Sequence, residues 1–202
     1  VVYGQQATWD SYDICHLPED FTAVNQTAQN KLRATGAWQD FRAAHGSWYV
    51  EFDQFTSVPR IATGPAISVP GATYEERALN FLNNELSSFE FPIEDLVVMR
   101  NHTNDRFNYI DMAQFHDGIE VIGSRVSVRQ TLDGRVVMFQ LGVYDDVEVN
   151  TTPAVSSSAV ASSVVAGLPT ALDHLHVSST LGILGVPVDG DYKYHLVYHV
   201  DF

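Results

Sequence analysis

Cysteine and basic residues are scarce in this chain of 202 residues. Cys15 is the single cysteine, so no disulfide can form within the chain, and we expect its side chain to be a small, half-buried apolar group. Lys and Arg number 11 against 25 Asp and Glu, which gives a formal net charge of −14. Because phosphate binding needs clusters of cationic side chains, this composition argues against a nucleic-acid partner. It suits a basic partner, or simply keeps the chain soluble.

Long apolar runs are also missing. No stretch approaches the roughly 18 to 20 apolar residues that span a bilayer, so we expect no membrane partner. The first residues lack the basic start and the apolar run of a signal peptide. Since the chain does not begin with Met, we expect that a leader has already been removed.

The common catalytic motifs are absent as well. The chain has no His-Glu-x-x-His zinc motif, no Gly-x-Ser-x-Gly elbow and no glycine-rich phosphate loop, and adjacent Cys15 and His16 do not form a dyad. Four histidines on two expected strands could in principle gather a metal ion, although we expect them to be partly exposed and to bind nothing; these are His174, His176, His195 and His199. We therefore expect no catalytic residue, no cofactor and no metal site, and we expect that the chain is not an enzyme.

Three runs between Tyr109 and Gly142 have the composition of strands. Tyr109 to Phe115 and Arg125 to Gln130 are rich in β-branched and aromatic residues, and Val136 to Leu141 is apolar on both faces. Turn signals separate the runs, His116-Asp117-Gly118 after the first and Leu132-Asp133-Gly134 after the second, where Gly accepts positive φ. This region is predicted to be a meander.

A helix is predicted upstream of the meander. Thr73 and Glu76 have the spacing of a capping box, which places the helix start at Tyr74 and its end near Ser87. The helix is expected to bury one apolar stripe, made of Ala78, Phe81, Leu82 and Leu86. Leu96 to Val98 is predicted to be a further strand.

The run from Gln114 to Ser124 carries a resemblance to a known family. Its Gln114, Gly118, Val121 and Gly123 are similar to the Gln-x-x-x-Gly-x-x-Val-x-Gly signature in the propeptides of secreted fungalysin- and thermolysin-type zinc metallopeptidases. The order of helix, strand and signature strand over about 72–124 also resembles that propeptide domain. The resemblance implies a cystatin-like fold and a secreted or extracellular protein.

A second resemblance follows downstream. Pro153 to Ala159 resembles the start of a PepSY-type domain, in which Ser caps a helix, with apolar positions here at Ala159, Val160, Ser163 and Val164. Gly167-Leu168-Pro169 is expected to end that helix. Two strands are predicted after it, Leu175 to Val177 and Tyr194 to Val200, with a turn at Asp189-Gly190-Asp191.

The first third of the chain has weaker patterns. Phe21, Val24, Ala28 and Leu32 lie at helical spacing after Pro18, which predicts one helix. Ser47 to Asp53 alternates and is predicted to be a strand, followed by a loop around Val58-Pro59-Arg60.

These patterns give an α+β class with two cystatin-like domains, each a helix packed on a curved antiparallel sheet. The predicted boundaries are an N-terminal extension with helix and strands at 1–71, a propeptide-like domain at 72–147 and a PepSY-like domain at 153–202. Because the chain ends on an apolar strand-like run, we expect the last domain to be truncated at its C-terminal end.

The resemblance implies a propeptide that inhibits a secreted zinc metallopeptidase without a covalent bond and assists its folding. Its partner would be the mature metallopeptidase domain of the same precursor. Candidate protease contacts are the turn His116, Asp117, Gly118 and the terminal Phe202. The alternatives are a free-standing secreted cystatin-like binding or inhibitor module, and a structural domain without a protease link. If a eukaryote secretes the chain, three sequons become N-glycosylation sites, at Asn25, Asn101 and Asn150.

Overall fold

The computed structural model describes residues 24–167, 178–188 and 191–201. The helices in these ranges are α1 (Gln26–Arg33), α2 (Gly36–His45), α3 (Tyr74–Asn80) with a π-helical continuation (Phe81–Glu85), a short 3-10 turn (Ile93–Asp95) and α4 (Ser157–Gly167). The strands are β1 (Tyr49–Phe52), β2 (Pro59–Ile67), β3 (Leu96–Thr103), β4 (Phe107–His116), β5 (Ile119–Ile122), β6 (Arg125–Thr131), β7 (Val136–Gly142), β8 (Ser178–Val188) and β9 (Asp191–Asp201). The predicted α+β class is confirmed.

The chain divides into two compact units. The larger unit comprises Val24–His116 and Gly123–Asp146, and the described part of the smaller unit comprises Asp117–Ile122 and the described residues from Val147 onward.

The sheet of the larger unit is antiparallel throughout, in the order β1-β2-β7-β6-β4-β3. The register aligns one row of core side chains across five of these strands, and every member is at most 2% exposed; the row is Val50, Ala62, Phe139, Val128 and Ile110. Since side chains alternate along a strand, the residues on either side of each member point to the opposite face. The period-two pattern of β6 predicted this division correctly.

Helices from both sides of the predicted 71/72 boundary cover this row. In α2, Trp38 stacks on Phe41 with ring centroids 5.1 Å apart, and Phe41 lies 6.0 Å from Phe139 of β7. Phe81, which follows α3, lies 5.3 Å from the same Phe139 ring. Burial of each such ring contributes about 1.5 to 3 kcal/mol. The predicted extension, from residue 24 onward, therefore shares one hydrophobic core with residues 72–116 and 123–146.

The predicted capping box starts α3. The Glu76 amide donates to Thr73 Oγ1 at 3.1 Å, and Glu76 Oε2 accepts from the Ala72 amide at 2.6 Å. The Glu76 carboxylate thus reaches Ala72, one residue before the N-cap Thr73. The predicted stripe is fully buried, although the α-helix ends at Asn80 and its continuation is π-helical.

The predicted loop at Val58-Pro59-Arg60 is wrong, because Pro59 begins strand β2. The chain reverses between Asp53 and Val58. There the Asp53 carboxylate accepts hydrogen bonds from the amides of Phe55 and Thr56, and the Asp53 amide donates to the Val58 carbonyl. Proline is tolerated as the first residue of a strand, where its missing amide interrupts no ladder.

In the smaller unit, β8 pairs antiparallel with β9 along all eleven residues of each strand and parallel with β5. The parallel pair corrects the expectation of a wholly antiparallel sheet in this unit. Helix α4 begins after Ser156, whose Oγ accepts the Ala159 amide at 3.3 Å, as the pattern predicted. Of its predicted apolar positions Val160 is buried, whereas Ala159 and Ser163 are exposed.

Several predictions lie outside the described residues. They concern Cys15 with His16, the helix start at Pro18, the strand Leu175 to Val177, part of the turn at Asp189-Gly190-Asp191, and Phe202. Helix α1, the first of the described helices, begins at Gln26, after Asn25.

Candidate functional site

Gln114, the first residue of the signature, fastens the chain after β7 to strand β4. Its Nε2 donates to the Tyr144 carbonyl at 2.7 Å, and its Oε1 accepts the Tyr144 amide at 2.9 Å. Its own amide donates to Ser124 Oγ at 2.9 Å, and the residue is fully buried. A primary amide presents a donor beside an acceptor, so this side chain replaces a backbone peptide group in a ladder. Its role in the structure is therefore architectural.

The other signature residues have backbone or packing roles. Gly118 has φ +77° and Gly123 has φ +85°, a region that favours glycine because a Cβ is disfavoured there. Val121 is fully buried. None of these residues carries a reactive group, so the signature specifies a fold.

The predicted contact turn has the backbone of a type I′ hairpin. Asp117 and Gly118 both have positive φ, 51° and 77°, as this turn requires. Both are exposed, and His116 is half-buried. The Asp117 carboxylate accepts from the Thr151 hydroxyl at 3.4 Å. Whether this turn and Phe202 contact a protease stays a prediction.

Gln29 of α1 makes a second amide bridge, which the sequence patterns missed. Its Nε2 donates to the Phe52 carbonyl at 2.8 Å and its Oε1 accepts the Phe52 amide at 2.9 Å. The residue is 1% exposed. Gln29 lies three residues before Leu32, on the helix face predicted to be apolar. This position was the one signal in the sequence that its side chain would be buried. A polar residue there is buried because the end of β1 offers both hydrogen-bonding groups.

A row of larger side chains crosses the opposite face of the sheet in the larger unit. Its members are paired across six strands by the register, and we call it the outer row: Tyr49, Thr63, Met138, Arg129, Tyr109 and His102. Tyr49 is 60% exposed, Thr63 and His102 are exposed, and the other three are half-buried. No sequence pattern singled out this row, because it arises from pairing between distant strands.

Arg129 lies near the centre of the outer row. Its guanidinium carbon is 4.9 Å from the Tyr109 ring centroid and 5.6 Å from that of Phe107. Its Nε is buried and has no hydrogen-bond partner among the described residues. Within the same part of the chain no carboxylate forms an ion pair with it.

Burial raises the pKa of the Tyr144 phenol above its ordinary value, and the nearby Asp53 carboxylate raises it further. Both effects disfavour the phenolate, since an anion loses hydration on burial and is repelled by a like charge. The Tyr144 phenol is therefore neutral at physiological pH.

The described residues contain no group of three His, Cys, Asp or Glu side chains that could hold a metal ion. Of the four histidines considered, His174 and His176 lie outside the described ranges. His199 is exposed, and its Nε2 lies 3.6 Å from Oδ1 of Asp201 at the end of β9.

All three sequon asparagines are exposed, but their side chains form different hydrogen bonds. Asn25 Oδ1 caps α1 by accepting the Thr27 and Ala28 amides. Asn101 Nδ2 donates to Glu75 at 3.1 Å while its Oδ1 accepts from Asn108. Asn150 Oδ1 accepts the Thr152 amide at 3.0 Å. Use of these sites stays a prediction.

No helix in the described ranges is both long and apolar enough to cross a bilayer.

No protein-family model matches the chain, and no curated protein does. Among solved structures, it is similar to the Bacillus megaterium YpeB C-terminal domain, at 14% identity and a TM-score of 0.39, over 88% of this chain and 86% of that chain. A similarity this low carries no conclusion about function, which has to be inferred from the chain's own residues.

Proposed function

We propose that this chain is the propeptide of a secreted zinc metallopeptidase, which it inhibits without a covalent bond and helps to fold. The observation that carries the proposal is the use of the signature. Gln114, Gly118, Val121 and Gly123 each perform a fold-determining task in this chain, which supports a role for the signature in its fold.

The cystatin-like character implied by the resemblance belongs to this proposal. In its support, the larger unit packs helices α2 and α3 on one face of an antiparallel sheet. An inhibitor of this kind needs shape and exposed main chain more than reactive groups, because it blocks a cleft by covering it. The exposed turn at Asp117 and Gly118 supplies one such element.

Inhibition and assistance to folding have the same thermodynamic origin. A propeptide that binds the folded peptidase and not the unfolded one stabilises it by mass action. Cleavage of the propeptide then releases the activity. The chain itself would be non-catalytic and would work outside the cell.

The direct test is titration of the whole chain against the purified peptidase domain encoded after it. We expect saturable inhibition with a dissociation constant of micromolar or tighter, about −8 kcal/mol or better, so that turnover falls to near zero when the chain is in large excess over that constant. The double variant Asp117→Ala with Gly118→Ala should weaken inhibition if the turn makes contact. The matched control is a pair of alanines at two exposed positions of the second turn, Leu132 and Asp133.

The rival binding module makes different predictions. If the gene ends after residue 202, or continues without a His-Glu-x-x-His motif, the propeptide proposal is wrong. Unchanged turnover at micromolar chain would also overturn it and leave the structural-domain alternative.

A further inference from the structure

The outer row has the composition of a protein-binding surface. Tyr, Met and Arg are enriched at protein interfaces, where aromatic and guanidinium groups supply most of the binding energy. Tyr49, Met138, Tyr109 and Arg129 lie on one line across the sheet, opposite the buried core row. Because the strands fix their spacing, the row is rigid before any partner arrives.

Arg129 sets the chemistry of the partner. Two aromatic rings hold its guanidinium in place, which lowers the entropy lost when it forms hydrogen bonds. Its buried Nε has no acceptor among the described residues. Because that atom is shielded from solvent, a ligand would bind the terminal nitrogens of the guanidinium, with which no carboxylate of the described residues forms an ion pair.

Two acids on the same face have other partners, and of these Glu51 lies 3.4 Å from Arg60. Asp111 accepts from Ser127 Oγ at 2.8 Å and lies 3.5 Å from Arg125, two rungs of side chains along the strands from the Tyr109 and Arg129 pair. In a chain with 25 acidic residues, Arg129 is therefore left without a carboxylate in the described ranges.

We propose that the outer row binds an extended protein segment that carries one acidic side chain, with apolar side chains two residues before and two residues after it. The carboxylate pairs with the Arg129 guanidinium, and the apolar side chains pack on the residues that flank Arg129 in the row, Met138 on one side and Tyr109 on the other. A planar guanidinium matches a carboxylate through two parallel hydrogen bonds. This surface is distinct from the turn assigned to peptidase contact, and the proposal does not depend on the propeptide function.

Other occupants fit less well. A second copy would bring another 14 net negative charges against this one. A nucleic acid or an anionic bilayer needs several clustered cations, whereas the row offers one guanidinium. A single carboxylate is compatible with the acidic chain because charges more than about 8 Å away are screened at physiological salt.

The test uses the whole chain and two synthetic probes, acetyl-Phe-Ala-Glu-Ala-Leu-amide and its isosteric neutral partner acetyl-Phe-Ala-Gln-Ala-Leu-amide. Binding is followed by NMR at the Arg129 Nε–H and the Met138 methyl group. We expect saturable shifts at both positions with the Glu probe, and about tenfold weaker binding with the Gln probe because the charge-assisted pair is lost. Comparing two probes on the unaltered chain makes this readout independent of variant folding.

Variants then assign the effect. Arg129→Met should reduce affinity for the Glu probe to that for the Gln probe. Arg125→Gln removes the same charge from the same strand and should leave the Glu probe unaffected. The proposal is overturned if the two probes bind equally, if Arg125→Gln weakens binding as much as Arg129→Met, or if no saturable shift occurs by about 10 mM, a concentration above the range of useful recognition.

Discussion

At the scale of single residues, two buried glutamines perform work usually done by main chain. Gln114 and Gln29 each exchange a donor and an acceptor with one peptide group, of Tyr144 and Phe52 respectively. The pattern of the sequence identified Gln114 through a family signature and did not identify Gln29. A single buried polar residue leaves no periodic trace, so only its partner reveals its function.

Replacing Gln114 with Met should destabilise the chain by about 1 to 3 kcal/mol, because the size is kept while the Tyr144 amide and carbonyl lose their partners. Urea unfolding followed by tryptophan fluorescence measures the change. Gln140→Met is the control, since Gln140 is half-buried on the opposite face and should change stability by less than about 0.5 kcal/mol. Equal effects of the two substitutions would show that the Gln114 bridge contributes nothing.

The raised pKa of Tyr144 predicts a loss of stability in alkali. Below pH about 10 the phenol is neutral in both the folded and the unfolded state, so its contribution is constant. Between that value and the higher folded pKa, the unfolded state loses its proton first, and stability falls as pH rises.

Tyr144→Phe should therefore flatten the decline in the free energy of unfolding as pH rises above about 10, the unfolded pKa. The slope with pH is compared, rather than stability at one pH, because the substitution also removes a hydroxyl. Parallel slopes for the native chain and the variant would contradict the shift.

At the scale of elements, two threonines precede helices in the same unit but only one of them caps. Thr73 Oγ1 accepts the Glu76 amide at the start of α3, while Thr35 before α2 makes no side-chain cap bond. The capping box in the sequence predicted the first correctly, because the interaction is local and depends on spacing alone.

Thr73→Ala should cost about 1 kcal/mol, the usual value of a lost N-cap, and Thr35→Ala distinctly less. Chemical denaturation of both variants measures the difference. A larger effect at Thr35 would mean that its bond to the Leu32 carbonyl matters more than the cap at Thr73.

The elements that were predicted wrongly from the sequence depend on contacts between distant residues. Strand β2 begins at Pro59, a residue typical of loops, and its identity comes from pairing with β1 and β7. The π-helical turn after α3 likewise has no local signature, since Phe81, Leu82 and Leu86 would form a stripe on an ordinary helix too. Non-local pairing and packing decide such cases, and a one-dimensional pattern does not contain them.

At the scale of the whole molecule, one core joins the predicted N-terminal extension to the predicted propeptide-like domain. Phe139 touches Phe41 from one side of the predicted boundary and Phe81 from the other. Aromatic residues near Trp38 were visible in the sequence, but their partners lie far along the chain.

Trp38→Ala should therefore destabilise the whole larger unit by about 3 to 5 kcal/mol, as expected for loss of a buried ring. Native-state hydrogen exchange should report it in the amides of β6 as strongly as in α1, because both belong to one cooperative unit. Tyr49→Ala, at a ring that is 60% exposed, is the control. Unchanged exchange in β6 would mean that the first segment folds separately.

The sequence by itself determined the α+β class, the strands of the meander, their Asp-Gly turns and the capped helix, because alternation, turn chemistry and capping act within a few residues. Tertiary structure decided what those elements share. It merged the N-terminal segment with the meander into one core, placed a parallel strand beside β8, and aligned the outer row around Arg129. Each of these depends on contacts between residues far apart in the chain, whose pairing is set by the burial of the whole apolar surface.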